Sequence, residues 1–130
     1  MLGVYSLVLV AAGPGWLRDA LGAMVACMPT VIVLDAHNSP SAETSLHRYH
    51  PDLVLVDGDL PGNESMALVR AIQFYGPATG CLLLANTVPQ QAAALSAGAD
   101  RSPLKGELAA RVFAQVEELL TPTRLRPAAT

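Results

Sequence analysis

The stretch Pro51-Asp52-Leu53-Val54-Leu55-Val56-Asp57-Gly58-Asp59-Leu60-Pro61-Gly62 decides how the chain folds. An unbroken apolar run, Leu53 to Val56, ends on a carboxylate and passes at once into loop residues. A strand that is apolar on both faces belongs in a parallel sheet covered by helices on either side. The carboxyl ends of such strands form the edge where ligands bind. Asp57 is therefore expected at a binding edge.

Working outward, the same grammar repeats. Residues 5–11 read as a first buried strand, broken by Gly13-Pro14-Gly15 and followed by apolar residues at helical spacing (Leu17, Leu21, Met24, Val25, Met28) up to Pro29. Residues 31–34 read as a second strand closed by Asp35. A polar helix follows over 39–50, with Ser39 as its cap and Pro40 in its first turn. After the central strand comes an amphipathic helix over 63–75, capped by Asn63. A fourth strand is expected over 81–85, and a short alanine-rich helix over 89–97 stopped by Gly98. Residues 99–103 make a weak fifth strand, where Pro103 fits only at a strand end or sheet edge. Residues 107–120 carry Leu108, Val112, Val116, Leu119 and Leu120 on one stripe and form the last helix. The tail, 121–130, has no apolar period and reads as a linker or frayed end.

Strands alternating with helices over short connections imply an α/β fold. The expected architecture is flavodoxin-like: a doubly wound, five-stranded parallel sheet of order 2-1-3-4-5 with helices on both faces, over residues 1–120.

Composition bounds the function. With 130 residues, 52% of them hydrophobic and 15% charged, the chain can bury a large core. A net charge of −3 offers no basic footprint for nucleic acid. The apolar start is too short to span a bilayer and has no basic flank, so no membrane is expected and the expected compartment is the cytoplasm. Cys27 and Cys81 lie far apart in apolar stretches and read as buried reduced thiols. His37, His47 and His50 are irregularly spaced and read as surface residues. Gly13-Pro14-Gly15 lacks a P-loop lysine and a dinucleotide fingerprint, so it reads as a turn.

Pro51-Asp-Leu-Val-Leu-Val-Asp57 followed by Pro61-Gly62, and then Ala97-Gly98-Ala99-Asp100 followed by Lys105, resemble the receiver domains of two-component response regulators over residues 4–120. The resemblance implies that Asp57 is the phosphoacceptor position and Lys105 the lysine that contacts the phosphoryl group. It also exposes departures. Receivers hold Mg²⁺ with an acidic pair at the end of strand 1, and those positions are Ala11 and Ala12. The switch Ser/Thr falls on Ala85, unless a slip puts Thr87 there, and the switch aromatic falls on Ser102. Of the family's functional positions only Asp57 and Lys105 are kept.

Phosphoryl transfer needs neutralised phosphoryl oxygens, and Mg²⁺ relies on anionic ligands to stay bound. With methyl groups at 11 and 12, no metal or other cofactor is expected. Asp59 reads as a solvated loop acid, and an auxiliary carboxylate that stands in for the metal pair is its alternative role. Without a metal, Asp57 and Lys105 are expected to pair directly or through water. The expected function is an atypical receiver (a pseudo-receiver) that is no enzyme and acts by dimerisation or partner binding. The alternatives are a working aspartyl-phosphate acceptor with an unusual site and a sensor of a small molecule held where the metal would be. By resemblance, a homodimer would form through the face of helix 4, strand 5 and helix 5, or through helices 1 and 5. Leu120-Thr121-Pro122 resembles the start of a helix-turn-helix output domain, which implies a DNA-binding continuation beyond Thr130.

Overall fold

The computed structural model describes residues 5–107 and 109–125. In chain order these form β1 (Ser6–Ala11), α1 (Trp16–Ala26), β2 (Val31–Ala36), α2 (Ser39–Tyr49), β3 (Leu53–Asp57), α3 (Glu64–Tyr75), β4 (Gly80–Leu84), α4 (Val88–Ala97) and α5 (Ala109–Leu125). All pairings are parallel, in the order β2-β1-β3-β4. Every residue of β3 is buried, as its apolar run requires.

Alternation along the strands splits the core in two. Leu9, Val54, Val56 and Leu83 face Leu46 of α2, Leu68 and Ile72 of α3 and Ala94 of α4. Val8, Val10, Leu53, Leu55 and Leu82 face Leu21 and Val25 of α1 and Val112, Val116 and Leu120 of α5. Helices therefore cover both faces, α1 and α5 on one and α2, α3 and α4 on the other.

The sheet has four regular strands among the described residues, where the sequence led us to expect five. The fifth is reduced to two isolated bridges, Leu82 with Arg101 and Ala85 with Leu104. The cause is Pro103. Along the β4 edge Leu83 N donates to Arg101 O (3.1 Å), Ala85 N to Pro103 O (2.9 Å) and Lys105 N to Ala85 O (2.9 Å). The remaining rung, from residue 103 to Leu83 O, lacks a donor because proline has no N–H. Ser102 Oγ fills it, donating to Leu83 O at 2.9 Å from a buried position. Its carbonyl in turn accepts from Gln91 Nε2 of α4 at 2.7 Å. At the other end of the segment Asp100 Oδ2 accepts from Cys81 N (2.8 Å), so a side chain replaces a strand carbonyl.

Several local expectations are corrected. The cap of α2 is Asn38, whose side chain accepts from Ser41 N at 2.9 Å, and Ser39 is already inside the helix. Asn63 precedes α3 without a side-chain cap bond. Cys27 is exposed; only Cys81 is buried, which pushes its thiol up to about 12. α5 continues to Leu125, through the start of the segment read as a linker, while 126–130 lie outside the described residues. No helix among the described residues is long and apolar enough to cross a membrane.

Ser102→Ala should lower the unfolding free energy by about 1–3 kcal/mol, the cost of leaving a buried carbonyl unpaired. Adding Pro103→Ala to it returns an N–H to the same rung. Urea melts of the single and double variants check this: the double variant should be the more stable of the two.

Candidate functional site

Three loops meet at the carboxyl edge of the sheet. β3 ends on Asp57, which keeps only 8% of its surface exposed. The chain then turns through Gly58, whose N–H donates to Leu84 O at 2.9 Å. A Cβ at position 58 would lie 2.6 Å from that carbonyl and 2.5 Å from Gln90 Oε1, so no larger residue fits. Asp59 N donates to Asp57 Oδ1 at 2.8 Å, which fixes one carboxylate oxygen.

Lys105 arrives from the far edge, its backbone held by Ala85 O. Its Nζ lies 2.6 Å from Asp57 Oδ1 and 2.6 Å from Asp59 Oδ2. The Asp57–Lys105 pair, expected from the sequence, is thus direct, but it is one half of a three-membered cluster. Asp59 is not a free loop acid. Its second oxygen accepts from Asn86 Nδ2 at 2.6 Å.

Two residues that the sequence did not single out complete the edge. Gln90, in the first turn of α4, donates from Nε2 to Gly58 O (2.9 Å) and accepts at Oε1 from Asn86 N (2.7 Å). Asn86 stands just beyond β4, at the carboxyl edge of the sheet, and no pattern in the sequence flags it. Thr87 lies outside this cluster: it caps α4, accepting from Gln90 N at 3.2 Å. Ala11, Ala12 and Ala85 are fully buried. Ala11 packs on the α2–α4 side and Ala12 on the α1–α5 side, so the pair adds methyl groups to both cores.

The electrostatics follow from the contacts. For Lys105, burial works against the charged form, but hydrogen bonds to Asp57 and then Asp59 outweigh it and raise its pKa above the lysine value. For Asp59, the hydrogen bond from Lys105 lowers the carboxyl below its ordinary value, with Asn86 adding to the effect and partial burial opposing it. Beside the cluster opens a cavity of about 500 Å³, walled by Gly13, Pro14, Trp16, Leu60 and Pro61 together with the charged residues.

The donor set does not fit a resident Mg²⁺. Magnesium wants several anionic or neutral oxygens in octahedral array. Here positions 11 and 12 offer methyl groups, and both nearby carboxylates already share one ammonium. The described residues contain no group of three or more His, Cys, Asp or Glu placed to hold a metal.

No protein-family model matches the chain, and neither does any curated protein sequence. Solved structures do. A CheY-like response regulator receiver domain from Methanospirillum hungatei JF-1 superposes with a TM-score of 0.84 at 16% identity, covering 95% of this chain and 100% of that one. A LuxR-family two-component response regulator from Aurantimonas sp. SI85-9A1 gives 0.82 at 20% identity over 91% and 86% of the two chains. A response regulator from Thermotoga maritima gives 0.79 at 26% identity over 91% and 99%. The chain has the receiver fold. Its Asp57 stands at the end of the central strand of that fold and its Lys105 just past the edge segment.

The pH dependence of this cluster has a definite sign. The Asp59 contribution is complete above its unfolded value near 3.8 and is lost as pH falls through the lower folded value. The Lys105 contribution is complete below its unfolded value near 10.5 and is lost as pH rises through the higher folded one. Lys105→Met should therefore cost about 1–3 kcal/mol at neutral pH, by stranding the buried Asp57 carboxylate. Its deficit against wild type should shrink in acid, where Asp59 protonates and its contact with Lys105 is lost. Thermal melts of both proteins across the pH range measure this; a deficit that stayed constant into strong acid would contradict it.

Proposed function

We propose that this chain is a pseudo-receiver: a cytoplasmic regulatory module, not an enzyme, that works by dimerisation or partner binding without Mg²⁺-dependent phosphorylation. The observation that carries the reading is the Lys105 ammonium held between Asp57 and Asp59. In a phosphorylatable site the metal neutralises the carboxylates and leaves the lysine for the incoming phosphoryl oxygens. Here the lysine does the neutralising, and Ala11 and Ala12 supply no ligands to a metal.

The switch positions support the same reading. At the position of the switch hydroxyl stands Ala85, which is fully buried, and at the position of the switch aromatic stands Ser102, whose hydroxyl is committed to Leu83 O. A side chain that completes the sheet edge is not free to swing between inward and outward states. Regulation then has to come from what binds, either to the face of α4, the edge segment and α5 or to α1 and α5. Neighbours of the fold include a DNA-binding response regulator of the LuxR family from Staphylococcus aureus. This is consistent with a DNA-binding output domain beyond Thr130, as the Leu120-Thr121-Pro122 segment implies.

Incubation with Mg²⁺ and acetyl phosphate, followed by intact-mass measurement, tests the proposal. The expected result is an unmodified mass under conditions that label an ordinary receiver run in parallel. A labile phosphoryl adduct that Asp57→Asn abolishes would sink it and favour a working acceptor with an unusual site.

A further inference from the structure

The cavity of about 500 Å³ at the carboxyl edge is of the size that holds small organic ligands. It has two kinds of wall. One is apolar, formed by Pro14, Trp16, Leu17, Leu60 and Pro61. Trp16 leaves 72% of its surface in water, while Leu21 and Val25 of the same helix are buried. The other wall is charged, with Asp57 and Asp59 set against Lys105 alone. Two carboxylates against one ammonium leave a net negative charge.

An exposed indole face next to uncompensated negative charge favours a particular chemistry. The ring attracts a cation over its face, and a carboxylate pairs with the same cation by charge-assisted hydrogen bonds. An anion meets the opposite situation: it is repelled by two carboxylates, and the nearby ammonium is already engaged. Gly13 lines the rim of the cavity. A Cβ there would meet no heavy atom within 4 Å, and Gly13 is not among the positive-φ residues. A side chain could thus be added without strain.

We propose that this cavity binds a flat organic cation (an amidinium, guanidinium or arylammonium group) stacked on Trp16 and paired with the Asp57–Asp59 carboxylates. The proposal rests on the reading of the site as one that is not phosphorylated, and it adds the chemistry of the ligand. The same group can be carried by a free small molecule or by an arginine of a partner protein.

Trp16 is the single tryptophan of the chain, so its fluorescence reports on the cavity. Benzamidine is titrated into the full chain, with benzamide and benzoate as the uncharged and anionic controls and N-acetyl-arginine amide as the side-chain mimic. Benzamidine should quench saturably and raise the melting temperature, binding about tenfold or more tighter than either control. Trp16→Ala should weaken it about fivefold, read from the melting shift. Gly13→Leu should melt like wild type without ligand and lose the shift. Saturation by benzamidine assigns the site to a free cation, and saturation by the arginine mimic alone assigns it to a partner's side chain. The proposal is overturned if neither cation saturates, if benzamide binds as well as benzamidine, or if Gly13→Leu leaves binding intact. Phosphorylation of Asp57 in the acetyl phosphate experiment would overturn the underlying reading without deciding these titrations.

Discussion

A strand buried on both faces that ends in a charged residue sets the terms for everything around it. β3 can be dry only if helices cover both sides of the sheet, which fixes the layering of α1 and α5 against α2, α3 and α4. The same burial brings Asp57 to the edge with little water around it, so its charge needs a partner within the protein. The edge segment beyond β4 delivers that partner. Lys105 sits where the last backbone rung of that segment places it, which ties the counter-charge to the completeness of the sheet edge.

That edge is completed by side chains as much as by backbone. Pro103 removes one donor, Ser102 restores it, and Asp100 takes over a carbonyl's role at the other end. Gln91 then pins the repaired segment to α4. Ser102 is thus part of the hydrogen-bond ladder.

How much of this was legible follows from which forces are local. Apolar runs and helical spacing gave the alternation of elements, because burial on a strand or helix face leaves a period in the sequence. The weak fifth strand was legible as weak, since Pro103 announces its missing donor. The replacement by Ser102 was not, because a serine hydroxyl bonding a carbonyl 19 positions away leaves no pattern. The Asp57–Lys105 pair was legible only through the resemblance. Asn86 and Gln90 were not legible at all: their partners, Asp59 and Gly58, lie 27 and 32 positions away in another loop. The cap of α2 was misplaced by one residue, since Asn38 and Ser39 are both good caps and only the backbone geometry chooses between them.

The cluster also shows what alanine at positions 11 and 12 does to the charge balance of the edge. A third and fourth carboxylate at positions 11 and 12 would leave Lys105 outnumbered and a divalent cation needed. With alanine there, one ammonium faces only two carboxylates, and a single net negative charge remains. The Asp57 contact is the better shielded of the two, while the exposed Asp59 contact is screened by water and contributes about 1 kcal/mol or less. An incoming phosphoryl group would have to draw Lys105 away from both carboxylates and add negative charge beside them. On the function proposed above, the arrangement opposes that addition. Through Asn86 and Gln90 it also links the charge at Asp57 to the first turn of α4. Whatever shifts Asp59 must shift Asn86 with it, and Gln90 holds both the Asn86 backbone and the Gly58 carbonyl. The contacts from the site to the first turn of α4 run through the side-chain amides of Asn86 and Gln90, and the Thr87 hydroxyl accepts from Gln90 N at the same turn.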